Sequence, residues 1–303
     1  MNLNIVKLEV VVLIAKYKKV TDVAKAIGVK QPTVTFHMRS LEEQFGVQLF
    51  ELRTGKVLLT DAGTALLHYA TKILTLSQES YRVMSEYRNM GKGSLSIGAS
   101  YVPGTYILPE LMSRFSEAYP GITFQMCIKP APVIREMLLS HSIDMGFISS
   151  QPFEDPTLHQ HRMRDDKLVV VYASSHRFST LPLIDAQTIS EEPFIYHGTD
   201  STTRHMTEQW AERNGVTLRV SMELDSLEAI KRAVMLGKGI SFISRIAITE
   251  EVSRGQLACL PIPGTDQNRS IYMCYHQDRW LSAQMRALEA ISAEFAARED
   301  IYI

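Results

Sequence analysis

Cysteine is scarce in this sequence: Cys127, Cys259 and Cys274 are the only three in 303 residues. They lie far apart, form no C-x-x-C pair, and each sits in an apolar, strand-like stretch, the pattern of reduced core thiols in a reducing compartment. A redox sensor would need a reactive and a resolving cysteine close together in one mobile segment, and no such pair exists. Long apolar runs are missing too. No stretch reaches membrane-spanning length, and VVVLIA at residues 10–15 is too short and wrongly flanked for a signal peptide, so the expectation is a cytoplasmic protein with no membrane partner. Signatures of catalysis are absent as well: there is no Gly-rich phosphate loop, G-x-S-x-G elbow, H-E-x-x-H or metal-spaced Cys/His set. HQHR at residues 159–162 would put two histidines on one face of a strand, where they could bind a metal. Two ligands without evident partners read more simply as polar surface or interlobe residues. Neither an enzyme nor a cofactor is expected.

Net charge is nearly absent, at −1, but it is unevenly spread. Residues 1–90 carry 12 Lys and Arg against 8 Asp and Glu, and the rest carries 20 against 25. The positive excess therefore sits at the N-terminal end. With 45% hydrophobic and 21% charged residues, the chain is globular and long enough for two or more domains.

The N-terminal end opens with a helix over about Leu3–Tyr17, whose Val6, Val10, Leu13 and Ile14 form a buried stripe. The stretch TDVAKAIGVKQPTVTFHMRSLEE, Thr21 to Glu43, then reads as helix, turn, helix. Thr21 is a candidate N-cap, Val23, Ala24 and Ile27 recur at helical spacing, and Gly28 supplies a sharp turn. Pro32 suits the first turn of the second helix, with Val34, Met38 and Leu41 as its buried stripe. Its other face carries Gln31, Thr33, Thr35, Phe36 and Arg39, side chains suited to base edges, thymine methyls and phosphates in a major groove. Lys30 opposes the macrodipole of that helix, a penalty a DNA phosphate would reverse. A solvated helical hairpin remains the alternative for this spacing alone. Lys16, Lys18 and Lys19 precede it as a solvated turn or a phosphate contact. Over Gln48–Leu59 a turn at Thr54-Gly55 between two short extended runs makes a β-wing, with Arg53 and Lys56 placed to reach phosphate or the minor groove.

From Asp61 to about Arg88 one long helix runs without Pro. Leu66, Ala70, Ile73, Ser77, Ser80, Met84 and Tyr87 alternate steps of four and three, a weak heptad pattern that needs a partner helix. Gly91-Lys92-Gly93 is a hinge, after which strands and helices alternate. LSIGAS, a helix over about Thr105–Tyr119, TFQMCIK, a helix over Val133–Ser140 and MGFIS make a first doubly wound set with a mostly parallel sheet. KLVVVYA, FIYHG, a helix over Thr202–Asn214, LRVSMEL, a helix over Ser226–Leu236 and ISFIS make a second. SIYMCYH and a helix over about Leu281–Ala297 close the chain.

Open parallel sheets bind ligands outside the carboxyl ends of their strands. That rule nominates Ser100, Tyr101, Pro130, Ala131, Ser149 and Ser150, and in the second set Thr199, Ser201, Thr202 and Ser226. Hydroxyls and N–H groups at a helix N-terminus suit a carboxylate, sulfate or phosphate, although Ser201 and Thr202 can equally be plain caps. Asp225 with Glu228 three residues on has the spacing of a capping box. Arg204 could pair with a ligand anion or with an acid such as Glu223. The favoured ligand class is a small metabolite anion.

QPTVTFHMRSLEEQFGVQLFELRTGKVLLTDAG, residues 31–63, resembles the N-terminal signature of LysR-type transcriptional regulators. In that pattern a Gln-Pro opens the recognition helix and a Leu-Glu closes it, followed by Phe45-Gly46, Leu49-Phe50, Arg53, Leu59-Thr60 and Ala62-Gly63. The family usually has Ser or Thr at Lys30 and polar residues at Phe36 and His37. The resemblance implies an α/β architecture of winged helix-turn-helix (1–60), dimerisation linker helix (61–90) and effector-binding domain (91–303). The last would be a periplasmic-binding-protein-like, Rossmann-like pair of lobes, lobe I about 94–166 and 269–303, lobe II about 167–268. It also implies double-stranded operator DNA, a small-molecule inducer, RNA polymerase, and self-association as homodimer or homotetramer.

Overall fold

The computed structural model describes residues 3–88, 93–265 and 269–297. Gly91 and Lys92 of the expected hinge lie outside them, as does the side chain of Tyr87. The chain divides into two compact units, Met1–Met90 and Gly91–Ile303.

In the first unit, α1 (Ile5–Tyr17) starts at Asn4, whose side-chain oxygen accepts from the Val6 N–H. Its buried residues are Leu8, Val10, Val11 and Ile14; the expected Val6, in the first turn, is exposed, and Leu8 is buried instead. Helix α2 (Val20–Ala26) follows a left-handed Lys18 and is preceded by Lys19, so Thr21 lies inside it and is not its cap. The Lys18 carbonyl is held by the Val57 N–H, which ties the entry of α2 to the later hairpin. Gly28, at φ 69, makes the turn into α3 (Gln31–Phe45). Val34 and Leu41 of α3 join Val10, Val11, Ile14, Val23 and Ala24 in one core.

The hairpin β1 (Phe50–Arg53) and β2 (Lys56–Leu59) is antiparallel, and Thr54 and Gly55 both take positive φ at its tip, as a two-residue turn of this kind requires. Helix α4 (Asp61–Arg88) begins where the Thr60 hydroxyl accepts from the Gly63 N–H and donates to the Gln48 carbonyl. A Cβ at Gly63 would meet the Leu49 carbonyl oxygen at 2.1 Å, so only glycine lets this helix start so close to the hairpin.

The second unit holds two lobes. In the first, the strand order is β4 (Ile122–Ile128), β3 (Gly93–Ala99), β5 (Met145–Ser150), β12 (Ser270–His276), β6 (Leu158–Asp165). Packed with it are α5 (Leu108–Ala118), α6 (Ala131–Leu139) and α11 (Ala283–Ala297). In the second lobe β10 (Ser241–Ser244), β7 (Leu168–Ala173) and β11 (Leu257–Pro261) adjoin the parallel pair β8 (Pro193–His197) and β9 (Arg219–Leu224). A bridge between Phe194 and Ile240 joins the two groups. The lobe also carries α7 (Ala186–Ser190), α8 (Thr202–Arg213), α9 (Leu227–Met235) and α10 (Thr249–Ser253). The sheets are less parallel than the sequence suggests: β7 and β12, each entered directly after a crossing between the lobes, run antiparallel to both their neighbours. Edge strand β6 and strand β11 also go beyond the sequence expectation, being too polar or too short to stand out.

Candidate functional site

Helix α3 presents Gln31, Pro32, Phe36 and Arg39 exposed, with Thr33 and Thr35 half-buried beside them. Phe36 is 65% exposed, a large apolar surface whose ring lies 5.9 Å from that of His37. Lys30 occupies the N-cap position, where an ammonium, having no acceptor, cannot cap the first-turn N–H groups. At the hairpin tip Arg53 and Lys56 face each other across the turn; Arg53 pairs with Glu51 at 3.0 Å but remains 68% exposed. One signature side chain is structural: the Glu42 carboxylate accepts from the Leu49 and Phe50 N–H groups at 2.9 and 3.1 Å, and so fixes the hairpin against α3.

Between the lobes of the second unit lies a cavity of about 330 Å³. It is lined by Ser100, Tyr101, Pro130, Ala131, Ser149, Thr199, Ser201 and Thr202, all nominated from the sequence. Ser100 directly follows β3 and Ser149 is the next-to-last residue of the parallel strand β5; the Ser100 hydroxyl accepts from the Ser149 N–H at 2.8 Å, so its own O–H remains a donor. The Ser149 Oγ is buried without a hydrogen-bond partner. Opposite, Ser201 is the N-cap of α8 by position, yet its hydroxyl makes no capping bond, so the first-turn N–H groups keep their positive end toward the cavity.

Three nominated residues fall elsewhere. Arg204 sits over the Tyr196 ring, with its guanidinium carbon 3.9 Å from the centroid, and donates to Glu223 at 3.0 Å, to Glu208 and to the His197 carbonyl. One turn into α8, its side chain lies back along the helix and is claimed by acids of its own lobe. Ser226 is the cap of α9, accepting from the Ala229 N–H, and lines a neighbouring hollow instead. The cap is thus Ser226 and not Asp225, while Glu228 of the expected capping box turns to Tyr106 and Lys231. Ser150 is half-buried and not part of the lining.

Sequence reading missed Arg269, which reaches the cavity from the second interlobe crossing. It is 4% exposed, pairs with buried Asp166 at 3.1 Å and donates to the Thr203 hydroxyl at 3.2 Å, leaving Nε without a partner. No strand end or helix start marks this position in the sequence. His197 was also missed. Its Nε2 lies 2.9 Å from the Phe242 carbonyl, which can only accept, so the proton is on Nε2 and Nδ1 is an acceptor. Burial pushes the His197 pKa down to about 4; the Phe242 carbonyl opposes this, and the charges of Arg269 and Arg204 reinforce it. The imidazole is neutral at pH 7. Asp200 and Asp225 complete the polar rim, and Gly198 leaves room for the Asp225 carboxylate, whose Oδ1 would lie 2.0 Å from a Cβ there.

Among the described residues no group of three or more His, Cys, Asp or Glu is placed to hold a metal. His159 stacks on Tyr275 at 4.6 Å on the edge strand β6. All three cysteines are free thiols, and burial pushes Cys274 up to about 12. No helix among the described residues is long and apolar enough to cross a membrane.

These features define a class: a helix-turn-helix unit joined to a two-lobed α/β unit with a ligand-sized cleft. Residues 5–64 match the bacterial regulatory helix-turn-helix protein, lysR family, and residues 88–297 match the LysR substrate binding domain. The chain belongs to the LysR family of transcriptional regulators. A probable RuBisCO transcriptional regulator of Nostoc sp. (strain PCC 7120 / SAG 25.82 / UTEX 2576) is 32% identical over 95% of this chain and 85% of that protein. Among solved structures, CbnR, a LysR family transcriptional regulator, aligns over 97% of this chain and 99% of its own at a TM-score of 0.69 and 20% identity. The Synechocystis PCC6803 CcmR regulatory domain in complex with 2-PG aligns over 69% of this chain and 99% of its own, at a TM-score of 0.63 and 26% identity.

Proposed function

We propose that this regulator grips double-stranded operator DNA through α3 and the β1–β2 wing. In this reading Gln31, Thr33, Thr35 and Phe36 read base edges and methyls, while Lys30, Arg39, Arg53 and Lys56 hold phosphates. It acts in the cytoplasm as a homodimer or homotetramer and works through RNA polymerase. Residues 1–60 are the reader and 61–90 the dimerisation helix. Residues 91–303 are the sensor, with lobe I at about 94–166 and 269–303 and lobe II at about 167–268. Support for dimerisation through α4 comes from Tyr69, Leu76, Tyr81 and Met84, large apolar side chains left exposed along it.

The inducer, in this proposal, is a small metabolite whose anionic group lies between Ser100, Ser149, the α8 N-terminus and Arg269. One observation carries the reading: a buried arginine with an unpartnered Nε and an orphaned serine hydroxyl line the same cavity as an uncapped helix N-terminus. An inducer changes transcription only by binding one arrangement better than another. A thermal-shift screen of the full chain against carboxylates, sulfur anions and phosphates tests it, since a ligand of the native state raises stability by RT ln(1 + [L]/Kd). A stabilising compound whose effect is lost in Ser149→Ala supports the site. A shift that survives both Ser149→Ala and Ser100→Ala rejects it.

A further inference from the structure

Next to the cavity, the chain from Ser100 to Ile107 runs out of β3, lines the cleft with Ser100, Tyr101 and Val102, and then makes a π-helical turn over Pro103–Ile107. Turns of this kind are uncommon and concentrate at functional places. This one aims Tyr106 across the gap. Its O–H donates to Glu228 of the second lobe at 2.5 Å, and the Lys231 ammonium donates to the same tyrosine oxygen at 3.2 Å. Lys231 also pairs with Glu228 at 3.1 Å and with Glu251 at 2.6 Å, and it is 3% exposed. Tyr106 packs against both lobe cores, and so does Leu227, which itself lines the cleft one residue before Glu228.

We propose that Tyr106, Glu228, Lys231 and Glu251 form an interlobe latch that holds the sensor lobes at their observed closure and couples that closure to what occupies the cleft. The inference rests on the reading of the cleft as the effector site. Three facts carry it. Both hydrogen bonds that join the first lobe's Tyr106 to Glu228 and Lys231 of the second run through one phenolic oxygen, so a small separation of the lobes breaks the two at once. On one side the latch is five residues from Tyr101 along a single short segment. On the other it begins at the residue after Leu227. A second hollow of about 320 Å³, lined by Tyr101, Thr105, Tyr106, Asp225, Ser226, Leu227 and Glu228, connects the two places. A ligand pressing on Tyr101 or Leu227 therefore moves a latch residue without touching it. Burial of Lys231 makes the arrangement discrete, because its charge must keep its carboxylate partners in either state.

Amide hydrogen exchange of the full chain with no added ligand tests the latch apart from any question of effector identity. The probes are the Gly104 N–H, bonded to Ser100, the Leu108 N–H, bonded to Pro103, and the Ile230 N–H, bonded to Ser226. Tyr106→Phe removes one hydroxyl, keeps the ring, and leaves Lys231 with Glu228 and Glu251. It is expected to speed exchange roughly tenfold at these probes on both sides of the gap, the size set by a lost hydrogen bond to a charged group. Amides of β3 and β7 should be unmoved. Glu228→Gln, on an exposed side chain, should give the same pattern. Unchanged exchange in both variants overturns the proposal, and so does a rise spread evenly through both lobes, which would mark simple loss of stability. Either failure leaves the cleft itself standing, because the ligand screen does not involve these residues.

Discussion

Arg269 and Asp166 meet at 3.1 Å, 4% and 0% exposed, where the two crossings between the sensor lobes run side by side. The Asp166 N–H also donates to the Arg269 carbonyl, and the Ser244 hydroxyl donates to the Asp166 carboxylate. One ion pair therefore sits at both the hinge and the floor of the cleft.

Removing one partner leaves an uncompensated buried charge. Asp166→Asn is expected to destabilise the chain by about 3–5 kcal/mol, and Arg269→Met with Asp166→Leu together by much less. Urea unfolding of the two variants decides between this and a pair that merely decorates the hinge, for which both would cost little.

Acid should weaken the fold through His197. Its folded pKa, about 4, lies below the 6.5 of a free imidazole. Below pH 6.5 the unfolded chain takes up a proton that the folded one refuses, so stability falls toward pH 4, at up to about 1.4 kcal/mol per unit. Unfolding midpoints from pH 7 to 4 should show this slope reduced in His197→Asn. An unchanged slope would mean that the histidine is solvated.

In the reader, Gln31→Ala should lose about 1–3 kcal/mol of discrimination between operator and unrelated DNA. Lys30→Ala should weaken both alike and lower the salt slope by about 1. Binding titrations at several salt concentrations separate the two; equal loss of specificity from both would mean that α3 lies in the groove differently.

Gly63→Ala drives a Cβ against the Leu49 carbonyl oxygen, which cannot swing away as a side-chain tip can. A loss of about 1–3 kcal/mol in the first unit is expected, with faster exchange at the amides of β1 and β2. Native exchange there would show that α4 shifts without strain.

The signals legible in the sequence were the local ones. Helical spacing, the Pro32 and Gly28 punctuation, the Thr54-Gly55 turn and the strand-end rule each depend on residues a few positions apart, and they located the reader, the wing and eight lining residues of the cleft. Tertiary structure alone decided the rest. Arg269 enters the cleft only because two crossings lie together, Arg204 leaves it because Glu208 and Glu223 and the Tyr196 ring are nearer, and β7 and β12 are antiparallel because they enter from the other lobe. Tyr106 and Lys231 meet across 125 positions of chain. Spacing carries no trace of such contacts, since their energy arises only when distant segments are packed and desolvated together.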